Sequence, residues 1–95
     1  MTIQQTLSER GSIHGPFPRH AEAAQSLKDV VASLLKINKK TLCDEHLEAL
    51  EMICHKIGRI IAGNELHKDH WHDIAGYATL GERACDEHLQ SVIER

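Results

Sequence analysis

Apolar positions recur at helical spacing along most of the chain, and they divide it into three long segments. These segments cover residues 19–37, 41–63 and 69–93. Within each one the apolar residues lie three or four positions apart, the spacing that puts them on one face of an α-helix. The pattern therefore predicts three amphipathic helices joined by short connections.

Capping residues set the predicted ends of these helices. Thr41 and Asp44 resemble a capping box, with Asp where Glu is usual, so the second helix is expected to begin at Thr41. Gly63 suits its C-terminal end. Asp69 is expected to be the N-cap of the third helix, because its carboxylate can accept hydrogen bonds from the free N–H groups of a first turn.

Residues 1–18 are predicted to form an N-terminal arm. A short helix is expected over residues 2–10, and the two Gly and two Pro in residues 11–18 predict an irregular loop that packs through Ile13 and Phe17. Residues 19–95 are predicted to form an all-α bundle of three main helices. Because a chain this short buries a small core, pairing with a second copy is expected to complete it.

Composition and charge narrow the function classes. Aromatic residues make up 3% of the chain, so the core must consist of small and aliphatic residues, which favours helices. A net charge of −3 gives no excess of cations for nucleic-acid phosphates, so nucleic-acid binding is not expected. The apolar runs are too short to cross a membrane, and no signal peptide is apparent. A soluble, cytoplasmic protein is expected.

The three cysteines are Cys43, Cys54 and Cys85, and they form no Cys-x-x-Cys pair. They lie within apolar or helical patterns. Reduced, structural thiols are therefore expected. No internal repeat is expected.

The second predicted helix carries a polar stripe opposite its apolar face. Glu48, Glu51, His55 and Arg59 follow one another at spacings of three and four residues. Two carboxylates one turn apart can share a magnesium ion, which prefers oxygen ligands. The alternative is an ordinary solvated face with weak charge pairs.

On the third predicted helix, Asp73 lies at the rim of the apolar face, with His70 and Tyr77 on the same side. A carboxylate beside an apolar seam needs a partner, because burying it unpaired is costly. That partner could be a metal ion, a Lys or Arg side chain, or a helix N-terminus. Trp71 and Ile74 are expected to anchor this helix to the core. The predicted apolar face consists of Trp71, Ile74, Ala78, Cys85, Leu89 and Val92.

Three closely spaced histidines, His67, His70 and His72, raise the alternative of a zinc site. Their spacing does not match the i, i+4 pair of helical zinc motifs, so a structural zinc site is not favoured. A divalent-metal site made by His67, His70 and Asp73 is a further, weaker alternative. His72 is expected to point to solvent.

Several of these residues carry a resemblance to known proteins. Glu48-Ala-Leu-Glu51, with Asp73 followed by Tyr77, resembles the acid pattern of the all-α nucleoside triphosphate pyrophosphohydrolases, among them MazG-like proteins. More of the chain is similar to a family of small phage and prophage proteins. The similar positions are Arg10, residues 14–17, residues 56–60 and residues 69–78. His70 stands where the superfamily has its third acid.

The resemblance implies a MazG-like helical bundle that acts as a hydrolase on nucleoside triphosphates. The implied site has Glu48, Glu51 and Asp73 as ligands of Mg²⁺ or Mn²⁺, Lys56 and Arg59 as phosphate ligands, and His70 as a further ligand or base. The ion would neutralise the triphosphate and orient the attacking water.

A rival hypothesis is a non-enzymatic phage accessory protein that binds a host or phage protein. Under this hypothesis Asp73 pairs with Lys56 or Arg59. The positions of Glu48, Glu51 and Asp73 distinguish the two hypotheses. Carboxylates that point into one cleft favour the enzyme, and carboxylates that diverge favour the accessory protein.

Overall fold

The computed structural model describes residues 1–94, with side chains for residues 1–90, and these form four α-helices. The helices are α1 (Ile3–His14), α2 (Phe17–Ile37), α3 (Asp44–Ala62) and α4 (Lys68–Glu94). No strand occurs in residues 1–94. The predicted all-α fold with three main helices is confirmed.

The three long helices form an open row. Helix α3 lies in the middle and packs against α2 on one side and α4 on the other, while α2 and α4 make no contact within the described residues. Helix α1 packs across α3 and α2. The chain is correspondingly elongated, with extents of 53 × 28 × 23 Å. None of the described helices is long and apolar enough to cross a membrane.

The N-terminal segment is more helical than predicted. A capping box formed by Thr2 and Gln5 starts α1, which continues through Gly11 and Ser12 to His14. Ser12 remains in the helix, where its hydroxyl donates to the carbonyl of Glu9. The expected loop over residues 11–18 is therefore wrong.

The junction between α1 and α2 is a tight turn. Gly15 ends α1 with a φ of 82°, a conformation that favours glycine. Pro16 is the N-cap of α2, and Pro18 lies in its first turn. Proline is tolerated there because first-turn N–H groups have no helical partner. The two prolines thus start a helix instead of extending a loop.

Two other helix starts also differ from prediction. Helix α3 begins at Asp44, and its N-cap is Cys43, which makes no side-chain capping hydrogen bond, so Thr41 does not form a capping box. The acidic Asp44 and Glu45 stabilise the first turn through the helix dipole. Asp69 lies inside the first turn of α4 and is not its N-cap. The predicted stop at Gly63 is confirmed.

Small residues form the contacts between the helices. The buried apolar residues are Ala24, Ala49, Cys54 and Ala84. At Gly58 an added Cβ would lie 3.0 Å from both the backbone nitrogen of Ala24 and the carbonyl oxygen of His20. Helices α2 and α3 therefore approach each other closely, and large side chains are displaced from the seam.

The buried face of α4 was predicted incorrectly. Trp71 is 56% exposed, and Ala78, Cys85 and Leu89 are exposed as well. The buried residues of α4 are instead His70 and Ala84, because close packing selects small or flat side chains. The indole of Trp71 donates to the carbonyl of Glu65 and closes the α3–α4 loop. The side chain of Val92, also assigned to this face, and residue 95 of the predicted domain lie outside the described part.

The close packing at Gly15 generates a stability prediction. A Cβ at this residue would overlap the carbonyl group of Ala62, and its φ is unfavourable for an L side chain. We expect Gly15→Ala to lower the free energy of unfolding by about 3 kcal/mol or more, measured by urea unfolding. Gly76→Ala is the matched control, because nothing lies within 4 Å of an added Cβ.

Helix propensity should make the Gly76→Ala variant more stable by up to about 1 kcal/mol. Equal effects of the two substitutions would contradict the packing of the α1–α2 turn against α3.

Candidate functional site

The end of α1 is fixed to the α3–α4 loop through one carbonyl group. The oxygen of Ile13 accepts a hydrogen bond from the backbone N–H of Asn64 at 2.8 Å and a second from Nε2 of His70 at 3.3 Å. His70 is fully buried, with 1% of its surface exposed. The residue predicted as a catalytic base thus serves as an anchor for α1.

A cavity of about 430 Å³ lies beside this anchor, between α1, the start of α2 and the end of α3. Its lining is rich in cationic and aromatic side chains. The polar and aromatic members are Arg10, His14, Phe17, His20, His55 and Arg59.

Histidines from four helices gather at this end of the molecule. The ring centroid of His14 lies 5.3 Å from that of His70 and 6.5 Å from that of His20. The ring of His20 lies 6.0 Å from that of His55, and His67 lies 4.8 Å from His70. The cluster depends on α1, which brings His14 into its centre.

The cavity keeps its imidazoles neutral. Burial, followed by the charge of Arg59, lowers the pKa of His14 from its ordinary 6.5 to about 4. Burial and Arg59 also lower the pKa of His20 and, with further cations, that of His55. At neutral pH the positive charge of the cavity therefore resides on Arg10 and Arg59.

Three buried polar atoms in this region have no hydrogen-bond partner among the described residues. They are Nδ1 of His14, Nδ1 of His20 and Nε of Arg59. His20 is itself 7% exposed. Buried polar groups are almost always paired, because leaving them unpaired costs free energy. These atoms are therefore the groups through which the cavity can hold a polar ligand.

Asp73 has a protein partner. Its carboxylate lies 3.0 Å from Nζ of Lys56, whose side chain is 11% exposed. The hydrogen bond from Lys56 is the main cause of a lowered pKa of Asp73. The accessory-protein hypothesis expects this ion pair. Lys56 was also one of the two predicted phosphate ligands, and its ammonium group is here paired with Asp73. The other, Arg59, lies in the cavity.

The three predicted metal-binding carboxylates are not brought together. Glu51 lines the groove between α2 and α3, near Lys28 and Lys40, whereas Asp73 pairs with Lys56 on α3 from α4. Glu48 is exposed. Among the described residues these three do not form a group with ligand atoms in range of one ion. The residues present do not fit the implied magnesium ion, and no reaction step is assigned to it.

The histidines of the two alternative metal sites, all among the described residues, are not grouped around one ion position either. His67 faces Asp69, with Nε2 3.7 Å from the carboxylate, and Nε2 of His70 is bonded to Ile13. His72 is exposed, as expected. In the described part of the chain, the group with metal-binding geometry is instead Cys43, Glu45 and His88. Sequence reasoning assigned no role to Glu45 or His88 and a purely structural one to Cys43.

No protein-family model, curated protein or solved structure matches this chain. The resemblance to MazG-like and phage proteins accordingly stays a prediction. What the chain does must be inferred from the cavity itself.

The neutral histidines predict an acid-sensitive fold. The unfolded chain binds protons near the ordinary histidine pKa, whereas His14, His20 and His55 have lowered values in the folded state. Stability is therefore fully present above about pH 6.5 and is lost as the pH falls towards about 4. Urea unfolding at about pH 7.5 and about pH 5 should show the decrease.

Substituting His14 by Gln should reduce this dependence on pH. The matched substitution His72→Gln, at an exposed position, should preserve it. A free energy of unfolding that stays constant between the two pH values would refute the assignment of buried, neutral imidazoles.

Proposed function

We propose that this chain binds phosphate-bearing small molecules, nucleotides in particular, in the cavity between α1, α2 and α3. The proposal rests on two features that occur together in this cavity. Two guanidinium groups, those of Arg10 and Arg59, line it. Buried polar atoms of its side chains have no hydrogen-bond partner among the described residues. Guanidinium groups match phosphate oxygens in geometry and charge. The neutral imidazoles can add hydrogen bonds without raising the positive charge.

The charges of the cavity favour an anion of more than one negative charge. Burial, and then the neighbouring charge of Arg10, lower the pKa of Arg59, because each of them disfavours the charged guanidinium. The negative charge of a phosphate group between the two side chains would offset the repulsion and compensate for the lost hydration. Asp73 gives partial compensation from the α4 side.

The preference for nucleotides rests on Phe17. This ring is 72% exposed at the cavity lining, and its centroid lies 5.1 Å from that of His20. An exposed aromatic face beside a phosphate site can stack on a base. The cavity volume of about 430 Å³ also falls within the usual range for small-ligand sites.

Magnesium-dependent pyrophosphohydrolysis stays a prediction, and the separation of Glu51 from Asp73 gives it no support. We therefore propose binding as the primary activity, in the cytoplasm, where nucleotides are abundant and thiols stay reduced. The accessory-protein role is compatible with it, since a bound nucleotide could control contact with a host or phage protein.

Calorimetric titration tests the proposal. We expect ADP and ATP to bind and adenosine to bind far more weakly, because the phosphate provides the main contact. Arg59→Lys should weaken ADP binding by about 10-fold or more, since Lys cannot reproduce bidentate contacts. Arg83→Gln, at an exposed arginine outside the cavity, is the control and should leave the affinity unchanged.

Absence of binding by every phosphate ligand, or equal losses in the two variants, would exclude the cavity as the site. The same samples, assayed for pyrophosphate release with Mg²⁺ and Mn²⁺, address hydrolysis separately. Release that is lost in Glu51→Gln and Asp73→Asn would restore the enzyme hypothesis.

We also propose that the chain self-associates through α2. Val30, Leu34 and Ile37 lie on one side of this helix and are 55%, 52% and 73% exposed. Helix α2 is an edge of the open row, so within the described residues nothing covers this face. A second copy packed there would bury an apolar surface of the kind that marks protein contacts.

Sedimentation across a concentration series should show a dimer that Leu34→Glu converts to a monomer, because a charge in an apolar contact is costly. Ala32→Glu introduces the same charge at an exposed position on the other side of the helix, beside the groove that faces Glu51, and should leave the dimer intact. A wild-type chain that stays monomeric throughout would contradict the proposed association.

A further inference from the structure

The pentapeptide Cys-Asp-Glu-His-Leu occurs twice in this chain, at residues 43–47 and again at residues 85–89. Each copy carries Cys and His three positions apart, a spacing that places two side chains on one side of a helix. The expectation of no internal repeat was therefore wrong. The first copy starts α3 and the second lies in α4.

The fold brings the two copies together. Sγ of Cys85 lies 3.3 Å from Nε2 of His46, and the rings of His46 and His88 are stacked with centroids 6.3 Å apart. Nε2 of His88 is 3.6 Å from the carboxylate of Glu45. The ligand atoms of Cys43, Glu45 and His88 all lie within 4.8 Å of one another. Donors from both copies thus converge at one place.

We propose that the two copies together bind one zinc ion or a similar divalent transition-metal ion. Cys43, Glu45 and His88 provide three ligands, and Cys85 or His46 supplies the fourth. Thiolate and imidazole ligands select zinc and related metals, whereas Mg²⁺ and Ca²⁺ require oxygen ligands. Thiolate, carboxylate and imidazole groups, the three kinds of ligand in this set, are all groups that zinc accepts in proteins.

The surroundings suit a metal site. The side chains of Glu45 and His88 are 60% and 57% exposed, so an ion can reach them from solvent, while Cys43 is half-buried beside them. Nε2 of His46 donates to the carbonyl of Gly81 at 2.9 Å. This bond orients the ring and leaves Nδ1 with a free electron pair, as in the outer contacts of many metal-binding histidines.

The site is separate from the proposed nucleotide cavity. It involves the first turn of α3, whereas the cavity involves His55 and Arg59 near the end of the same helix. A bound ion would connect the start of α3 to the later part of α4. Its role is therefore to hold the far end of the helical row together, and it does not depend on nucleotide binding.

Cobalt substitution tests the proposal on full-length, tag-free protein in a non-thiol reductant. We expect one Co²⁺ ion per chain, with the intense ultraviolet charge-transfer band of a thiolate ligand and the visible bands of tetrahedral coordination. Zinc should displace cobalt and raise the melting temperature, because it binds the folded chain. Elemental analysis of protein purified with zinc should give one zinc per chain.

Two ligand substitutions and two controls make the test specific. Cys43→Ser and His88→Gln should each weaken Co²⁺ binding by about 10-fold or more, since each removes a proposed ligand. Cys54→Ala and His72→Gln change a buried cysteine and an exposed histidine outside the cluster, and they should bind Co²⁺ as the wild type does.

The proposal is overturned if the wild-type chain binds no Co²⁺, or if the bound ion shows no thiolate band. It is also overturned if Cys54→Ala weakens binding as much as Cys43→Ser does. Half an ion per chain would assign the metal to a contact between two chains and contradict a site within one chain. Circular dichroism of each variant confirms that a loss of binding does not arise from unfolding.

Discussion

The carbonyl group of Ile13 makes the contacts on which the end of the molecule that holds the cavity depends. It accepts hydrogen bonds from the backbone of Asn64 and from the buried ring of His70, next to the close approach of the Gly15 turn to α3. These contacts hold the end of α1 against the α3–α4 loop. Because α1 carries Arg10 and His14, this contact positions the α1 side of the cavity.

The rest of the fold follows from packing by small residues. Gly58 against Ala24 brings α2 and α3 close together, and α4 packs on the opposite side of α3. A row of three helices cannot enclose large side chains as a closed bundle does. This explains why apolar residues such as Leu34 remain exposed, and the proposed self-association rests on that exposed surface. The cationic cavity lies at one end of the row, and the cluster of Cys43, Glu45 and His88 lies at the other.

Much of the fold could be predicted from the sequence, because amphipathic periodicity is a local property and the three long helices express it. The α1–α2 junction could not, since Gly15 and the two prolines act here as helix ends, and their meaning depends on the contact with α3. The face of α4 was also misjudged, because apolar periodicity gives no weight to the small residues that permit close packing.

Lys56 was foreseen as one of the partners open to Asp73, whereas the histidine cluster joins four helices that no sequence spacing relates. The repeated pentapeptide is present in the sequence, but periodicity uses only its Cys and Leu positions and does not show that the polar residues of the two copies meet in the fold.

The most direct measurement of the central claim is a nuclear magnetic resonance titration of the histidine side chains with ADP. We expect the imidazole signals of His14, His20 and His55 to shift together as ADP is added, while those of His46 and His88 stay in place. Their coincident saturation would place the phosphate in the cavity built by α1. If these three signals stay unchanged while ADP binds, or if only the signals of His46 and His88 move, the cavity is not the ligand site, and nucleotide binding between α1, α2 and α3 is contradicted.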